Sequence, residues 1–69
     1  MRVACIDPKT GEVINVIEVE SLESVPDIVL AKEDGTVVRK EEVILKPTEW
    51  GSVGDIYIEG KGFFRFAGE

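Results

Sequence analysis

Histidine is absent from the 69 residues, and cysteine occurs once. Without histidine the chain has no imidazole base and lacks the commonest metal ligand. With Cys5 alone, no disulfide forms within the chain. Cations are outnumbered, 8 Lys and Arg against 14 Asp and Glu, which leaves a net charge of −6. Such a balance repels phosphate backbones and anionic bilayers, so neither nucleic acid nor membrane is expected as a partner. The carboxylates are scattered, with short pairs at Glu33-Asp34 and Glu41-Glu42, as a solvated surface requires rather than a phosphate mimic. No apolar run approaches the roughly 20 residues that cross a bilayer. Met1-Arg2 leads straight into β-branched residues with no signal-peptide core, so a cytoplasmic product is expected.

The length predicts a single small β domain over residues 1–69. A chain of this size buries roughly 60% of its unfolded surface and is marginal alone. With neither a disulfide nor a metal, its stability must come from an apolar core, tight turns or association. A trimer is the self-association expected.

The elements are short and closely punctuated. Arg2 to Asp7 reads as a strand, Pro8 to Gly11 as a turn, and Glu12 to Glu20 as a long second strand. Plain alternation places Val13, Ile17 and Val19 on one face of that strand and Ile14 and Val16 on the other. Apolar residues on both faces predict a strand in the middle of the fold. Ser21 is placed to cap one helical turn before Asp27. Ile28 to Lys32 and Thr36 to Lys40 form a hairpin around Asp34-Gly35, a pair suited to a type I′ turn. Glu41 to Lys46 is a fifth strand ended by Pro47. After the Gly-rich connection Thr48 to Asp55, Ile56 to Glu59 and Phe63 to Ala67 form a last hairpin around Gly60-Lys61-Gly62. No segment has sustained helical periodicity. The fold class is therefore all-β, a small antiparallel barrel or sandwich of about six to seven short strands with at most one helical turn.

Reactive constellations are missing. Ser21, Ser24 and Ser52 sit in loops without a base, and no carboxylate pair stands out among 14 acids. Gly51, Gly54, Gly60 and Gly62 lack the context of a phosphate loop and read as turn residues with positive φ. Cys5 reads as a small buried hydrophobe. The chain is expected to be non-enzymatic, with no catalytic residues, no metal ligands and no cofactor. The aromatic residues all fall in the last third: Trp50, Tyr57, Phe63, Phe64 and Phe66. Strand alternation separates Phe63 and Arg65 from Phe64 and Phe66, so one set faces away from the core unless both faces are covered. The interaction surface predicted is Trp50, Val53, Tyr57, Phe63 and Arg65, with Val13, Asn15 and Ile17 as a second patch.

Two segments resemble small tailed-bacteriophage proteins. Cys5 to Ile17 resembles their opening, an apolar strand, an Asp-Pro-x-Thr-Gly turn and an Asn-Val-Ile strand. Val53 to Phe63 looks like their closing Val-Gly-Asp-x-Tyr…Gly-x-x-Phe hairpin, and together the segments span about a third of the chain. The resemblance implies a structural or accessory protein of the virion, a capsid decoration or tail-associated module. Such a protein is made in the host cytoplasm and acts by contact with a capsid or tail protein. Two other readings stay open: a small acidic phage-encoded inhibitor docking on a host protein, and a generic SH3-like or OB-like interaction module.

Overall fold

The computed structural model describes residues 1–65. Seven strands follow one another: β1 (Arg2–Ile6), β2 (Val13–Glu18), β3 (Ile28–Ala31), β4 (Val37–Arg39), β5 (Ile44–Pro47), β6 (Ile56–Ile58) and β7 (Gly62–Phe64). Short 3-10 turns occupy Leu22–Ser24 and Lys40–Glu42. Every pairing is antiparallel, so the fold is all-β as its sequence predicts. The strands make three small sheets, β2-β1-β5, β3-β4 and β6-β7, rather than one closed barrel. Phe66 and Ala67, expected to extend the last strand, lie outside the described residues.

The turns form because each satisfies its own backbone. In the first, Asp7 Oδ1 accepts the Lys9 N–H at 2.8 Å and Thr10 Oγ1 accepts the Glu12 N–H at 3.1 Å. The Asp34-Gly35 hairpin departs from the type I′ form. That form needs positive φ at both central residues, yet among the described residues only glycines have it, here Gly35 at 93°. Gly35 N–H donates to Lys32 O and Lys32 N–H to Thr36 O, which closes a three-residue loop with the glycine at its left-handed position. Asp34 Oδ1 accepts the Thr36 N–H at 2.9 Å, and this bond holds the carboxyl below the usual Asp range. Ser21 does precede a helical turn, but its hydroxyl meets Ser24 Oγ at 3.2 Å instead of a backbone N–H. The fifth strand begins at Ile44 because Lys40–Glu42 turns first, with the Arg39 N–H donating to Glu42 Oε1 at 3.2 Å.

A β-bulge decides how the second strand faces the core. Cys5 pairs with Asn15 and Ile6 with Val13, so Ile14 is an extra residue with no partner. The alternation changes phase there. Val13 and Val16 join Ala4 and Ile6 on one face of the sheet, while Ile14, Ile17 and Val19 join Cys5 on the other. The expected grouping of Val13 with Ile17 and Val19 is split for this reason. The two-sided apolar strand also sits at an edge. The middle strand is β1, whose Val3, Ala4, Cys5 and Ile6 have no exposed surface.

Each face of the central sheet has its own hairpin. Tyr57 and Phe63, opposite one another in β6 and β7, pack on the Ala4, Ile6, Val13 and Val16 face. Val25, Val29 and Val38 pack with Leu45 on the Cys5 face. Cys5 is a buried hydrophobe as expected, and burial pushes its thiol pKa up. Asn15 Nδ2 donates to Val29 O at 2.6 Å, tying β2 to β3 across the second cluster. Pro47 is the last residue of β5, opposite Val3, and pairing continues past it through Thr48 N–H to Arg2 O at 3.0 Å. By ladder alternation the missing N–H of Pro47 falls on the open side of β5, where proline blunts an edge. No helix among the described residues is long and apolar enough to cross a membrane.

Truncating the middle strand tests this arrangement. Ile6→Ala is expected to destabilise the domain by about 2–5 kcal/mol, enough to unfold much of a protein this small, as read from urea denaturation by circular dichroism.

Candidate functional site

The connection from β5 to β6 is an ordered structure built on its own backbone. Arg2, the first residue of β1, extends its guanidinium under it. Nη1 donates to Thr48 O at 3.4 Å and Trp50 O at 3.1 Å, and Nη2 donates to Gly51 O at 2.7 Å. A planar cation with several fixed donors suits three carbonyls that no strand satisfies. Thr48 Oγ1 accepts the Trp50 N–H at 3.0 Å. Gly51 has φ +88°, and a Cβ there would lie 2.6 Å from the Phe63 ring. Glycine is required twice over at that position, by its conformation and by the close approach of the ring.

The far end of the connection is fixed by Asp55, a carboxylate with 6% of its surface exposed. Its Oδ2 accepts the Ser52 N–H at 2.9 Å and its Oδ1 accepts Arg65 Nε at 3.2 Å. The Ser52 N–H, and then the Arg65 guanidinium, hold the carboxyl below its usual range against the opposing effect of burial. The Asp55 carbonyl accepts the Val13 N–H at 2.8 Å, and the Gly54 N–H donates to Val13 O at 2.9 Å. The connection is thereby sewn to the outer edge of β2.

What this frame presents is an indole. Trp50 is 76% exposed and Val53 61% exposed. Beside Trp50 runs a groove of about 740 Å³, bordered by Tyr57, Phe63, Lys46, Lys61 and Glu59. The Tyr57 and Phe63 rings lie 4.9 Å apart at 48° to each other, a tilted aromatic pair. Lys46 Nζ stands 5.6 Å from the centre of the Tyr57 ring, within cation–π range. Tyr57 Oη donates to Glu59 Oε1 at 3.3 Å.

The structure thus brings Trp50, Tyr57 and Phe63 together, with Val53 and Arg65 on the same connection and hairpin. Phe63 is half-buried and links core to groove, whereas Phe64 on the reverse face is 44% exposed. Arg65 is an exposed residue committed to Asp55. The second predicted patch does not exist as one surface. The bulge sends Val13, fully buried, to one face and Asn15 and Ile17 to the other, where Asn15 is engaged by Val29 and Ile17 packs in the second cluster. Sequence reasoning missed Arg2, whose signal is a lone cation opening a strand with four buried successors. It also missed Ile58 and Phe64, an apolar pair on the uncovered side of the last hairpin, 45% and 44% exposed. Among the described residues, no group of three His, Cys, Asp or Glu side chains comes together to hold a metal ion. Comparison with protein-family models, with curated proteins and with solved structures finds no match to this chain.

Two expectations follow from the frame. Gly51→Ala combines a left-handed φ with a ring clash and is expected to cost about 1–3 kcal/mol in urea denaturation, moving Trp50 fluorescence as the connection loosens. Asp55 has a folded-state pKa below its unfolded value. Its contribution is complete above the ordinary Asp value of about 3.9 and is lost as pH falls through the lower folded value. The stability difference between the protein and Asp55→Asn should be largest at neutral pH and close in that acidic window. Asp34, lowered in both proteins, cancels in the comparison.

Proposed function

We propose that this chain is a non-enzymatic docking protein that binds a partner protein through the Trp50 surface. Its setting is the one implied by the sequence resemblance, the virion of a tailed phage, as a capsid decoration or tail-associated module. The observation that carries the reading is a tryptophan 76% exposed on a backbone that Arg2, Asp55 and Gly51 hold in place. Exposing an indole forgoes the stabilisation of burying it, roughly 1.5–3 kcal/mol for a large apolar side chain. Fixing the loop beneath it lowers the entropy that a partner must remove on binding. Trp is also the residue type most often found at the energetic centre of an interface. Val53, 61% exposed, adds apolar surface on the same connection.

A repeating virion lattice would multiply even a small contact through avidity. A cellular peptide-binding module is the second reading, favoured by the aromatic groove between Trp50 and Tyr57. An acidic inhibitor aimed at a basic cleft gains less support. Four of the carboxylates, Glu18, Asp27, Glu41 and Asp55, are already ion-paired within the chain itself.

The recombinant protein is expected to co-sediment with virions of its encoding phage at micromolar concentration, on the order of −8 kcal/mol per site. Trp50→Ala should weaken that binding at least about tenfold, a loss typical of an interface anchor, while leaving the urea midpoint unchanged. Unaltered binding by the variant would sink the proposed surface, and no binding by either protein would sink the virion setting.

A further inference from the structure

The groove beside Trp50 differs in charge from the rest of the molecule. The whole chain carries −6. The groove walls carry Lys46 and Lys61 against Glu59, and the Glu59 carboxylate already accepts the Tyr57 hydroxyl. None of the four salt bridges among the described residues uses either lysine. Two ammonium groups against one carboxylate leave the groove walls net positive beside an aromatic floor, on a protein whose total charge is −6. The groove's volume, about 740 Å³, is that of a ligand site, but an indole 76% exposed leaves it open rather than closed over a small molecule. Nucleic acid is opposed by the overall charge. An open channel with aromatic walls is suited to an extended chain, and a proline-containing segment enters it with little conformational entropy left to lose.

We propose that this groove binds an extended acidic peptide segment of a partner protein, with prolines against Trp50, Tyr57 and Phe63 and carboxylates towards Lys46 and Lys61. The inference rests on the reading of the Trp50 surface as a docking site and names the chemistry of what docks there.

Trp50 is the single tryptophan of the chain, so its emission reports occupancy directly. The intact protein is titrated with an acetylated peptide of alternating proline and glutamate, and with the same peptide carrying lysine in place of glutamate. The acidic peptide is expected to give a saturable change, and the basic one to bind at least about tenfold more weakly. Lys46→Glu and Lys61→Glu should each weaken the acidic peptide and strengthen the basic one, a reciprocal change that misfolding cannot mimic. No saturable response, or an equal response to both peptides, overturns the inference. So does Trp50 emission that changes with protein concentration alone, which would place a second copy of the chain in the groove. If virions bind through Trp50 while the acidic peptide leaves the emission unchanged, the docking function stands and only the peptide chemistry fails.

Discussion

Val3, Ala4, Cys5 and Ile6 alternate across their sheet, yet none has exposed surface. A strand in that state must be covered on both faces and paired along both edges. The other elements of the chain meet that demand. β2 and β5 pair with its edges, the β6–β7 hairpin closes the Ala4 and Ile6 face, and the β3–β4 hairpin closes the Cys5 face. The result is two thin clusters back to back in a molecule only 17 Å deep along its shortest axis. Clusters this shallow hold small, stiff side chains best, and valine and isoleucine fill them with little rotamer entropy to lose.

The Ile14 bulge follows from the same demand. β2 lies at an edge of the central sheet but carries apolar residues in both directions. A regular strand would put Val13 and Ile17 on one face. The extra residue lets Val13 close the first cluster while Ile14 and Ile17 close the second. It also ends the regular ladder at Val13, whose outward N–H and C=O are then taken by Asp55 and Gly54. A single irregularity thereby distributes the hydrophobic residues and attaches the connection that carries Trp50.

Much of this was legible because it is local. Seven short strands, their turns and the buried Cys5 follow from β-branched runs, Gly and Pro positions and alternation within a few residues. What was not legible depends on partners distant in the chain. Alternation alone cannot reveal a bulge, since Ile14 looks like any strand residue until Cys5 and Ile6 set the register. Nor does it say that β1 rather than β2 lies in the middle, because β5 must first arrive on the far side. The type I′ expectation at Asp34-Gly35 failed on the Asp34 carboxylate, whose bond to the Thr36 N–H fits a loop one residue longer. At the site, Trp50 and Tyr57 were visible from residue type. Arg2 was not, because its role is to reach carbonyls 46 to 49 positions away.

Arg2 is where the constraint on β1 becomes a property of the surface. Its backbone belongs to the most deeply buried strand, and its side chain leaves that strand to hold the carbonyls beneath the indole. The exposed tryptophan is thus referenced, through one side chain, to the most fixed part of the molecule. Asp55 does the same from the other end, joining the connection to Val13 and so to the first cluster. Tyr57 and Phe63 pack against the first cluster and also border the groove, whereas Trp50 stands 76% exposed on the connection itself. An indole on a free loop would have to be ordered by whatever it meets. Held from both ends by the core, the backbone beneath this indole is fixed by the fold itself.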